Sequence, residues 1–134
     1  MNKYGFTLIE LLVVIVILGI LASIAAPRLA GRTESARLEA AHADIDGGIA
    51  LALDLFEIDL GHYPASLEEL VKKPSDDSPW KGPYLKRGIP KDPWGSAYIY
   101  RFPGTGSEVY DLYSVGPDKK DGTGDEIVSK GSKG

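Results

Sequence analysis

Residues able to do chemistry gather in two places. The first is Glu10, the one carboxylate in residues 6–26, a run of Leu, Ile, Val and Ala relieved by Thr7, Gly19 and Ser23. An ionisable group in such a span costs roughly 2.5 kcal/mol or more on insertion scales. That cost calls for a partner, one that arrives after the segment has entered lipid. The second is Asp118-Lys119-Lys120-Asp121-Gly122-Thr123-Gly124-Asp125-Glu126, an acidic loop bent by glycines. Hard oxygen donors on a flexible backbone suit Ca²⁺. The EF-hand spacing is absent, and a solvated acidic turn accounts for the composition equally well. Elsewhere the inventory is thin. His42 and His62 lack the companions of a nucleophilic triad and the spacing of a zinc site. Asp44 and Asp46 fall on different faces of a helix, and no glycine-rich phosphate loop follows a strand. Catalysis is not expected.

The elements that must position these groups begin with residues 6–26, long enough to cross a bilayer, which takes about 20 apolar residues. A secretory signal, with Ala22-Ser23-Ile24-Ala25-Ala26 as a cleavage-like site, and a plain anchor both fit that length. Neither explains Glu10 or the Gly5-Phe6 step. Past Pro27 the pattern becomes amphipathic. Leu38, Ala41, Ile45, Ile49, Ala52, Phe56 and Leu60 recur at three- and four-residue steps. Gly61 and Pro64 supply the stop. A helix over 6–60 would be about 80 Å long. Pro27 should kink it or mark a stretch that melts on packing. Close approach of a sheet would explain Gly47-Gly48.

The second half, rich in Gly and Pro, predicts a short helix over Leu67–Val71 capped by Ser66. A loop follows over 74–95, then strands over Ala97–Phe102 and Glu108–Ser114 around a Pro103-Gly106 turn. Trp94, Tyr98, Tyr100, Tyr110 and Tyr113 are expected to share one packed face with Phe56. Residues 129–134 read as a disordered tail. Of 134 residues none is Cys, so no disulfide can brace the small domain. Lys3 and Glu10 cancel within the first 27 residues, so the remainder carries the whole net charge of −4. With no basic patch, nucleic acid is not an expected partner.

Gly5-Phe6-Thr7-Leu8-Ile9-Glu10-Leu11-Leu12-Val13-Val14 resembles the class III signal of type IV pilins and type II secretion pseudopilins. His62-Tyr63-Pro64, Tyr84-Leu85 with Pro90-Lys91-Asp92-Pro93-Trp94-Gly95, and Tyr110-Asp111-Leu112-Tyr113-Ser114-Val115-Gly116-Pro117-Asp118 resemble the major pseudopilin family in particular. Pro117 and Lys119 stand where that pattern has alanine and glycine.

The resemblance implies an α+β, pilin-like fold: a long N-terminal helix, transmembrane in its first half, packed on a small antiparallel sheet with a C-terminal calcium loop. It implies a leader (1–5), a transmembrane and polymerisation helix (6–27) and a periplasmic globular domain (28–134). Prepilin peptidase would cut between Gly5 and Phe6, and the Phe6 amine would be methylated. Glu10 would meet the terminal amine of a neighbouring subunit. One Ca²⁺ would be held by the side chains of Asp118 and Asp125 with carbonyls from Val115, Lys120 and Thr123. Asp121 and Glu126 are weaker candidates. The implied role is the structural subunit of a type II secretion pseudopilus, a homopolymer that drives folded proteins across the outer membrane. Its partners would be minor pseudopilins and an inner-membrane assembly platform. The subunit would sit in the inner membrane, then in a periplasmic filament. A type IV pilin for adhesion, motility or DNA uptake, and a membrane-anchored calcium module that does not polymerise, are the alternatives.

Overall fold

A computed structural model of the chain describes residues 5–74 and 79–129, the side chains of 28–30 excepted. The leader residues 1–4, part of the expected 74–95 loop and residues 130–134 of the expected tail lie outside the described residues. Two compact units divide at Ala36 and Arg37.

The first unit is helical. Helix α1, Leu8–Ala43, starts in it and carries Pro27 within its length. From Leu8 to Ile24 its large apolar side chains are exposed. Among the described residues one helix is long and apolar enough to cross a membrane.

The second unit owns a core. After α1 come a π-helical segment, Asp44–Ile49, and helix α2, Ala50–Leu60. The predicted stripe is borne out in its middle: Ala41, Ile45, Ile49, Ala52 and Phe56 are at most 2% exposed, and Leu53, outside the predicted stripe, is buried beside them. Gly61 ends α2 at φ +80°, its N–H donating to the Glu57 carbonyl at 2.7 Å, a left-handed C-cap that glycine adopts without penalty. The Gly47-Gly48 pair is where expectation and structure differ. A Cβ at either position would meet nothing within 4 Å, so no sheet approaches there. Both glycines lie instead inside the wider π turn, which side-chain-free residues tolerate.

Strands β1 (Ile99–Arg101), β2 (Asp111–Ser114) and β3 (Ile127–Val128) form an antiparallel sheet in the order β1-β2-β3. β1 and β2 are shorter than the sequence suggested, and the place of the third strand, β3, was not indicated. Alternation along β2 buries Leu112 and Ser114 and leaves Asp111 and Tyr113 half-buried. Tyr113 therefore faces away from the helix, opposite to expectation, because successive side chains of a strand must point to opposite faces.

The remaining aromatics pack as expected. Tyr98 is buried, and Trp94, Tyr100 and Tyr110 lie against the core. Their polar tips find partners, as buried tyrosines require. Tyr98 donates to Asp44 at 2.7 Å and Tyr100 to the Pro64 carbonyl at 2.8 Å. Leu67–Leu70 is a 3-10 turn. Ser66 stands at its N-cap without a side-chain bond, and the Glu69 carboxylate takes the Ala65 N–H instead. Ser129 is not loose as expected: its hydroxyl donates to Asp46.

Candidate functional sites: the assembly end and the acidic loop

At the start of α1 the Glu10 carboxylate accepts the Thr7 N–H and the Thr7 hydroxyl, each at 3.1 Å. The Glu10 N–H donates back to Thr7 Oγ1 at 3.2 Å. This is a capping box, two orphan donors of a helix N-terminus satisfied reciprocally. Within the single chain Thr7 and the positive end of the helix hold the carboxylate, with hydrogen bonds rather than an opposite charge. The signal was present in the sequence as a threonine three residues before a glutamate. Gly5 and Phe6 lie just outside the helix, Phe6 with its side chain exposed.

Farther along, Leu51, Leu55 and Ile58 form an exposed apolar stripe on α2, opposite the face that carries Leu53 and Phe56. The loop before the sheet is fastened to α2 through Asp59, which accepts the Tyr84 hydroxyl at 2.8 Å and lies 3.2 Å from Lys81 Nζ. The Tyr84 hydroxyl, with Lys81 behind it, holds the Asp59 carboxyl below the usual range.

Around the acidic loop the structure brings Asp118, Lys120, Thr123 and Asp125 together. The Asp118 N–H donates to Asp125 Oδ2 at 3.3 Å. Thr123 Oγ1 reaches Asp125 Oδ1 at 2.7 Å and the Lys120 carbonyl at 3.2 Å. Asp118 Oδ1 accepts the Lys120 N–H at 2.8 Å. Val115 is buried at the end of β2, and Gly116 next to it abuts Asp125. A Cβ on Gly116 (φ +81°) would lie 2.4 Å from the Asp125 carbonyl oxygen. Only glycine permits that approach.

The other two carboxylates are otherwise employed. Asp121 turns to the outer face of the sheet, accepting from Tyr113 at 2.9 Å and from Arg101 at 3.4 Å. Glu126 accepts the N–H groups of Gly122, Thr123 and Gly124. Backbone amides, its own first and then that of Thr123, hold the Glu126 carboxyl below the usual range. The Thr123 hydroxyl, with the Asp118 amide, does the same for Asp125 against an opposing push from burial.

Among the described residues no three His, Cys, Asp or Glu side chains converge as a metal cluster. What converges is two carboxylates and neutral oxygens, a donor set that fits a hard cation filling its sphere with carbonyls. Sequence reasoning overlooked the closure of Gly122–Gly124 by Glu126 and of Asp121 onto the sheet. Lys119 at φ +60° stands where glycine would sit unstrained.

The family model described as "Type II secretion system (T2SS), protein G" matches residues 28–130, and the "Prokaryotic N-terminal methylation motif" matches residues 1–26. The type II secretion system core protein G of Pseudomonas aeruginosa is 45% identical over 98% of this chain and 95% of its own length. That of Escherichia coli K12 is 44% identical over 97% and 92%. The crystal structure of the major pseudopilin from the type 2 secretion system of enterohaemorrhagic Escherichia coli superposes with a TM-score of 0.62 at 30% identity, covering 74% of this chain and 87% of that one. A long helix, a three-stranded antiparallel sheet and near-full-length likeness lead to one conclusion: the chain belongs to the type II secretion system protein G family, the major pseudopilins.

Proposed function

We propose that this chain is matured by prepilin peptidase between Gly5 and Phe6, methylated on the Phe6 amine, and polymerised with its own copies into a secretion pseudopilus. Residues 6–27 anchor it in the inner membrane before assembly, and residues 28–134 fold in the periplasm. Minor pseudopilins and an inner-membrane platform take part, and the growing fibre drives folded proteins across the outer membrane. The observation that carries this reading is the contrast between Phe6–Ile24, apolar and exposed along its length, and the charge at Glu10. Such a surface needs lipid or other copies of itself to cover it.

The capping box gives Glu10 a holding position within the chain. On assembly the carboxylate exchanges Thr7 for the terminal amine of a neighbour. Opposite charges attract strongly in a low dielectric, while each alone is penalised. The pair therefore selects register more than it adds stability. Shearing cells that overproduce the chain with its secretion machinery tests the reading: fibres are expected in the sheared fraction, and their absence from cells with ample membrane-inserted subunit would contradict it.

The acidic loop is proposed to hold one Ca²⁺ through the Asp118 and Asp125 side chains with the carbonyls of Val115, Lys120 and Thr123. The convergence of Asp118, Lys120, Thr123 and Asp125 supports this. When bound, the ion supplies positive charge that offsets two neighbouring carboxylates and ties the segment after β2 to the sheet, a bracing role in a chain without disulfides. Its stabilisation grows with the logarithm of calcium over its dissociation constant. Chelator is expected to lower the melting temperature of the full chain, to expose residues 114–129 to protease and to block fibre formation. A melting temperature indifferent to calcium and chelator would contradict it.

A further inference from the structure

Asp92 is 4% exposed and Ser114 fully buried, and neither belongs to the proposed ligand set. Asp92 Oδ1 accepts the N–H groups of Trp94 at 3.1 Å and Ser96 at 2.7 Å. The Asp92 N–H donates to the Ser96 carbonyl at 2.8 Å, and the Gly95 N–H to the Asp92 carbonyl at 2.9 Å. The whole Asp92–Ser96 turn thus closes on one residue. Asp92 Oδ2 accepts the Ser114 hydroxyl at 2.6 Å. Ser114 Oγ in turn accepts the Gly116 N–H at 3.1 Å.

The direction of this relay is fixed by chemistry. The serine hydroxyl donates its one hydrogen to the Asp92 carboxyl oxygen. That leaves the serine lone pairs for the Gly116 N–H. Gly116 is the residue that touches Asp125, and its neighbour Val115 carries a proposed carbonyl ligand. Ser114 also pairs with Ile127 across β2 and β3, so both ends of the acidic loop leave from the strand position this relay holds.

We infer that Asp92, acting through Ser114, is a positioning residue for the calcium loop: it sets the path of Val115–Gly116 and with it the seat of Asp125. The inference rests on the calcium reading above. Outer partners that orient ligands typically change metal affinity by about 10- to 100-fold when removed. Asp92→Asn keeps the shape but replaces the Oδ2 acceptor with a donor, which reverses the serine bond. Ser114→Ala deletes the link.

The test is a calorimetric titration of calcium chloride into the full chain in detergent micelles, with thermal melting of each variant in chelator as the folding control. Both variants are expected to melt cooperatively in chelator and to bind calcium about 10- to 100-fold more weakly than wild type. Should Ser114→Ala fail to fold, the isosteric Asp92→Asn carries the test alone. Wild-type affinity in variants with lowered melting temperatures would show a role in the fold only and would overturn this inference while the calcium reading stands. A wild-type chain that takes up no calcium would overturn both.

Discussion

The chain's two units follow opposite rules of burial. From Leu8 to Ile24 the large apolar side chains point outward. From Arg37 onward, apolar groups gather around Phe56, Ile45, Ile49 and Leu53, all at most 1% exposed. The carboxylates differ in the same way. Glu10 is held by one neighbouring threonine on an exposed helix end, whereas Asp92 and Glu126 each close on several groups of their own fold. A region that completes itself needs nothing further. A region that leaves its surface and charge half answered needs lipid or a partner to complete it.

The largest effect should come from breaking that incompleteness. Glu10→Ala or Glu10→Gln is expected to leave membrane insertion unchanged and to remove most fibre from the sheared fraction, measured side by side with membrane-bound subunit. The contrast sharpens on one helix. Leu53→Ala, at a fully buried position, should cost about 2–5 kcal/mol in thermal or denaturant unfolding. Leu55→Ala, at a position 43% exposed, should cost well under that and lower fibre yield instead. Equal destabilisation by both would erase the distinction between the helix's two faces.

The tyrosines give a pH dependence. Burial pushes Tyr98 and Tyr100 well up and Tyr110 to about 12. A raised tyrosine favours the neutral form in the fold. Its contribution is intact below the ordinary value of about 10 and is lost as pH rises through the folded value. Unfolding scans should therefore show a decline beginning near pH 10. Tyr98→Phe should blunt it while costing about 1.5 kcal/mol at neutral pH, because Asp44 loses a donor. The smallest effect is a gain: Lys119→Gly removes a left-handed non-glycine and should stabilise by about 0.5–1 kcal/mol after glycine's own chain entropy is allowed for.

How much of this was legible in the sequence depends on the range of the interaction. The long helix was, because its signals are local: three- and four-residue steps, Gly61 and Pro64. The apolar span and the Gly5–Glu10 motif were equally plain. Tyr113 was misplaced because aromatic character outweighed the period-two rule, which puts Leu112 and Ser114 inside. The place of β3 escaped because two residues cannot display an alternation. Gly47-Gly48 suggested a close neighbour, yet its use is a wider helical turn. The acidic loop could be read as a donor set but not as an arrangement. Asp92 is the clearest case: its Ser114 partner lies 22 residues away and leaves no trace in local pattern.

The most direct measurement is a high-resolution reconstruction of the assembled fibre. In that fibre the Glu10 carboxylate is expected to have left Thr7 and to lie within about 4 Å of a neighbouring subunit's first nitrogen, with Phe6–Ile24 covered by other copies. A fibre in which Glu10 still caps its own helix, with every neighbouring terminus out of reach, would contradict it.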